Sequence, residues 1–109
     1  MPADPETIAR AKLLLKQLWE QHKETVFERL AILEKAGDEC LRMDAAALDE
    51  ARSAAHKLAG ALGTFGFQQG TDWARDSEHI FIKGDLTAQD QQRLIENASN
   101  IRTLLESSQ

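Results

Sequence analysis

Residues 56–66 read HKLAGALGTFG: one histidine, then three glycines, inside a chain whose other residues favour helix. Glycine in a helix interior costs about 1 kcal/mol relative to alanine. Gly60 and Gly63 therefore need a physical reason. Upstream of His56 the pattern is Ala-rich and amphipathic back to Asp44, a good helix N-cap. Leu48, Ala51, Ala55, Leu58, Ala59 and Leu62 recur at helical spacing and form a core face. Thr64, Phe65 and Gly66 read as a turn. The stretch is thus the end of one helix and the bend into the next, and it sets the fold class as helical.

The flanking segments repeat this grammar. Asp4 caps a first helix, with Pro5 at its first position and Glu6 in its first turn. Its apolar stripe runs Ile8, Ala11, Leu15, Leu18, Trp19, Val26, Leu30 and Leu33, and Lys35 before Gly37 suggests its end. That is long for a globular helix, so a kink or break is expected around 20–23. After the turn, a third segment runs from about Phe67 to Lys83, with Trp73, Ala74, Ser77, Ile80 and Phe81 on one side and Gly84 as its stop. Thr87 and Asp90 form a capping-box pattern ahead of Leu94, Ile95, Ala98, Ile101, Leu104 and Leu105. Four such segments with short connections predict one all-α domain over 1–109, an antiparallel up-and-down four-helix bundle with an extended or broken first helix. Trp19 and Trp73 are expected mostly in its core.

Composition narrows the function classes. The chain has 109 residues, enough for one core. Its net charge of −5 and lack of a basic stripe argue against a nucleic-acid partner. The lone Cys40, expected in a loop, excludes an internal disulfide and a cysteine metal cluster. No apolar run approaches a membrane span, and no signal peptide is visible, so no membrane insertion and a cytoplasmic location are expected. No phosphate loop, Gly-x-Ser-x-Gly elbow or ATP-binding kinase pattern occurs. His22 falls near the core stripe of the first helix and reads as a packed structural histidine. Glu78 beside His79 gives only a weak metal signal, and no pair of Glu-x-x-His motifs marks a di-metal bundle.

His56 is different. At about 100° per residue from Leu48, the core residues of its helix lie within about 80°, whereas His56 falls at about +80° on their solvent side. Gly60 and Gly63 follow at i+4 and i+7 on the same flank, so removal of their Cβ atoms leaves clear space beside the ring. Two readings are open: the glycines clear an approach to His56, or they permit close helix packing. A neutral imidazole within reach of another protein is a competent nucleophile near pH 7.

The run AHKLAGALGTFGF at 55–67 resembles the motif of histidine phosphotransfer (HPt) domains of two-component phosphorelays. His56, Leu58, Gly60, Gly63, Phe65 and Gly66 carry the likeness, and helix number and order extend it over the chain. The resemblance implies a bacterial-type phosphorelay intermediate. His56 is its phosphoacceptor, exchanging phosphate with a response-regulator receiver domain or taking it from a sensor histidine kinase. No cofactor is implied for this chain, Mg²⁺ belongs to the receiver, and a monomer is expected. The family often has lysine three residues after the histidine; here Ala59 stands there. Lys57 and Arg52 are the alternative cations near the phosphoryl group, with Gly60 beside it. By resemblance, Ser53, Gly63, Phe67, Gln68, Gln69, Asp72 and Arg75 form the docking surface. Two other classes stay open: a non-catalytic HPt-like adaptor that docks a receiver or kinase, and an unrelated bundle with a ligand or metal pocket.

Overall fold

The computed structural model describes residues 4–108. Among them lie four α-helices and no strand: α1 (Pro5–Glu39), α2 (Ala45–Thr64), α3 (Gln68–Lys83) and α4 (Ala88–Ser107), with a 3₁₀ turn at Cys40–Arg42. The caps follow the local chemistry. The side chains of Asp4 and Asp44 accept from the backbone N–H groups of Thr7 and Ala47, each at 2.8 Å. Thr87 and Asp90 close a reciprocal capping box. Gly84 ends α3 with φ +74°, a left-handed conformation that disfavours a side chain.

Each helix touches two neighbours: α1 packs on α2 and α4, and α3 packs on α2 and α4. The core between them is built from Val26, Leu30 and Leu33 of α1, Leu58 and Leu62 of α2, Ala74 and Phe81 of α3, and Leu94, Ile101 and Leu105 of α4. Small residues bring α2 close to its neighbours: Ala51, Ala54, Ala55 and Ala59 are all buried. The α2–α3 junction is held by the buried Thr71 hydroxyl, which donates to the Ala59 carbonyl at 2.9 Å. Gly70 lies beneath Leu62, where an added Cβ would sit 3.0 Å from its Cδ1. With His56 meeting Glu78 further along, α3 runs back along α2. The other clamp joins α4 to α1: Arg102 donates twice to Glu34, at 2.6 and 2.8 Å, and stacks over Phe27.

Several expectations change. α1 is unbroken through 20–23 and runs on to Glu39. Gly37 does not stop it, because this glycine lies inside the helix where a Cβ would meet Ile95 at 3.3 Å; it permits close approach of α4. The apolar stripe of α1 overshoots the bundle. Val26 is the first fully buried residue, while Ile8, Leu13, Leu14, Leu15 and Leu18 are exposed. His22 is exposed rather than packed, its ring 6.2 Å from that of Phe65. Trp19 and Trp73 are half-buried, packed against the core rather than in it; Trp19 meets Phe65 and Phe67 at 5.3 Å. Cys40 lies in the 3₁₀ turn and is buried, and burial pushes its thiol pKa up. Phe67 caps α3 instead of opening it.

Candidate functional site

His56 sits mid-way along α2, one residue past the buried Ala55 and two before the buried Leu58. Its side chain is 71% exposed. The angular reading from the sequence therefore holds at this position.

The glycines after it have different roles. A Cβ built on Gly60 meets nothing within 4 Å, so this position, one turn after His56 on its helix, faces open space. A Cβ on Gly63 points instead at the Thr71 hydroxyl, 3.3 Å away, on the junction with α3. Gly60 fits the access reading and Gly63 the packing reading. Gly66 serves a third purpose: its φ of +85° makes the bend that returns the chain as α3.

That return brings in a residue the sequence reading assigned elsewhere. Glu78, one turn of α3 beyond Ala74 and packed to 14% exposure, places Oε2 3.0 Å from His56 Nδ1. A carboxylate can only accept a hydrogen bond, so Nδ1 is the donor to Glu78, and in the neutral imidazole Nε2 is then the nitrogen with the free lone pair. The weak metal signal of Glu78 with His79 has a different meaning in three dimensions. The carboxylate turns to His56 across the helix pair, and among the described residues no three His, Cys, Asp or Glu gather to hold a metal ion.

Arg52, one turn before His56, belongs to the same cluster. Its Nε donates to Asp49 Oδ1 at 2.9 Å, and its Nη1 lies 4.0 Å from the Glu78 oxygen that faces the imidazole. Lys57 is exposed and makes no ion pair among the described residues. Of the two cations considered for the role of the family lysine, the fold brings Arg52 to the site's carboxylate. Ala59, where that lysine was expected, is buried with its carbonyl taken by Thr71.

The family model for the Hpt domain matches residues 2–109. The chain belongs to the Hpt domain family. Domains of this family act in the phosphorelays of two-component signalling. Searches of curated proteins and of solved structures return no match. No helix among the described residues is long and apolar enough to cross a membrane.

The α3 residues expected from the sequence to form a docking surface divide between two sides of the helix. Gln68 and Arg75 are exposed on the same face as Thr71 and Glu78, bordering α2. Asp72 turns toward α4, lining a polar cleft with Asp76, Arg93 and Asn97, and Gln69 lies on that flank of the helix. Ser53 and Phe67 are half-buried at the two ends of the α2–α3 face. Ile82, which the sequence reading passed over, is 59% exposed one turn after Glu78. An apolar residue at the helical angle of Thr71 and Glu78, away from Ala74, Ser77 and Phe81, was the signal the sequence offered for it.

Proposed function

We propose that His56 accepts a phosphoryl group on Nε2 from the phospho-aspartate of a receiver domain and returns it to such a domain, or accepts it from a sensor histidine kinase. The His56–Glu78 pair carries this reading: an exposed ring with Nδ1 engaged by a carboxylate and Nε2 bare. Membership of the Hpt family agrees with it.

Nε2 attacks the phosphorus in line. The N–P bond forms as the P–O bond to the partner's aspartate breaks, and the aspartate leaves as carboxylate. Nδ1 keeps its proton, so positive charge develops on the ring 3.0 Å from Glu78, which stabilises it. Glu78 thus acts as a positioning and electrostatic residue, with no proton transfer required of it. Charge on the transferring group is met mainly by the partner, in whose pocket Mg²⁺ is expected. Within this chain Arg52, whose Nη1 lies 4.0 Å from the Glu78 oxygen facing the imidazole, is the first candidate cation, with Lys57 as a second on the exposed surface. Gly60 leaves room for the partner to approach.

The docking surface of this reading is the α2–α3 face around His56: Ser53, Gly63, Phe67, Gln68 and Arg75, with Ile82 added. Gln69 and Asp72 belong to its margin. Such an encounter is transient and its interface small.

The test is transfer from a ³²P-labelled receiver. Label that is acid-labile, alkali-stable and absent in His56→Gln supports the proposal. A folded chain that binds receivers equally well with and without His56→Gln, and never takes label, would instead assign it to the adaptor class.

A further inference from the structure

Asp49, Arg52 and His56 follow one another along a single face of α2, at i, i+3 and i+7, and Glu78 reaches the same row from α3. Arg52 stands between two carboxylates. It hydrogen-bonds Asp49 through Nε at 2.9 Å, whereas its 4.0 Å separation from Glu78 is too long for a hydrogen bond. A guanidinium has five N–H donors. Only Nε is engaged by a side chain among the described residues, leaving the Nη groups free beside the imidazole's own partner.

We propose that Asp49 holds Arg52 in reserve and thereby sets the lifetime of the phosphoryl group on His56. The inference rests on His56 as acceptor. In the resting domain Arg52 pairs with Asp49, an exposed partner of the weak i,i+3 kind. A phosphoryl group on Nε2 brings about two negative charges and three acceptor oxygens to the same face. Side chains on a helix lean toward its N-terminus, so the phosphorylated ring lies over the turn that carries Arg52. The planar guanidinium can engage two of those oxygens at once, a stronger arrangement than its single bond to Asp49. Arg52 moves to the phosphoryl group, and Asp49 competes to draw it back. No bond of the transfer itself involves either residue: Asp49 is a positioning residue acting through Arg52.

The competition has a characteristic mutational pattern. Asp49→Ala frees Arg52 and lengthens the phosphohistidine half-life by about twofold, the size of an exposed short-range ion pair. Arg52→Ala shortens it by about fivefold, the size of a typical net hydrogen-bond contribution at a solvent-exposed site. The double variant behaves as Arg52→Ala, because Asp49 has nothing left to hold. Arg52→Lys is intermediate.

The experiment labels the full chain with phosphoramidate, which needs no protein partner. It follows decay and titrates the phosphoryl resonance by ³¹P NMR. Arg52 favours the dianion, so the second phosphoryl pKa rises in Arg52→Ala and falls in Asp49→Ala. A purely structural effect on α2 leaves that titration in place, and such a result overturns the inference. Equal half-lives in wild type, Asp49→Ala and Arg52→Ala overturn it as well, while leaving His56 as acceptor. A wild-type chain that takes no label from phosphoramidate or from a receiver overturns the acceptor assignment itself, and this inference with it.

Discussion

Removing the Glu78 carboxylate is the most direct perturbation of the site. In Glu78→Ala the imidazole loses a hydrogen bond at 3.0 Å and the negative charge that offsets the developing ring cation. A hydrogen bond to a charged group contributes about 1.5–3 kcal/mol. His56 is 71% exposed and water replaces part of the interaction, so the lower end, about 1.5 kcal/mol, applies. This corresponds to roughly a tenfold slower transfer step. Glu78→Gln retains an acceptor oxygen without the charge, so about half of that free energy and a threefold to fourfold loss are expected. The assay is single-turnover transfer from a phosphorylated receiver at saturating concentration, with helicity checked by circular dichroism. The loss is expected in the rate at saturation, with half-saturation little changed. Transfer within twofold of wild type in a folded Glu78→Ala would refute the role assigned to this carboxylate.

Gly60→Ala is expected to stabilise the domain by about 0.5–1 kcal/mol, because the added Cβ meets nothing and alanine is the better helix former. A Tm higher by roughly 2–8 °C checks it. Gly60→Trp is expected to keep labelling by phosphoramidate while losing most transfer from a receiver. Asp76 contributes acid sensitivity. Burial raises its carboxyl pKa, but hydrogen bonds from Asn97 and Arg93 and the Arg93 charge outweigh this and hold it below the usual 3.8. Its contribution to stability is therefore present above pH 3.8 and lost as pH falls through the lowered folded value; Asp76→Asn flattens that acid limb of a pH–Tm curve. Cys40 is buried with its thiol pKa raised, so an aromatic disulfide reagent should react with it slowly in buffer and quickly in denaturant.

The features legible in the sequence are those decided within one helical turn. Asp4, Asp44, Thr87 with Asp90, and Gly84 mark helix ends through chemistry contained in a few residues. The exposure of His56 follows from the angle it makes with Leu58 and Leu62 on its own helix. Glu78 was not legible as its partner, because that contact depends on how α3 is rotated against α2, 22 residues away. The glycines show the same limit. Gly37, Gly60 and Gly63 look alike in sequence, and only the atoms opposite them separate close approach to Ile95, open space and contact with Thr71. In α1 the apolar spacing continues through Ile8 and Leu15 although, among the described residues, no neighbouring helix extends far enough to bury them.

That overshoot gives one continuous helix two regimes of stability. From Val26 onward, opening α1 means breaking the core. Over the first dozen residues it means breaking only intrahelical bonds, with local help from pairs such as Glu6 and Arg10. A helical piece of that length is marginal in water on its own. It persists because the packed half has already met the cost of nucleation and each further turn merely propagates. Amide exchange along α1 should therefore form a gradient, fast at the N-terminal end and slowing toward Val26 without a break in the backbone. The first residue of the helix and the edge of the cooperative unit are different places on the same chain.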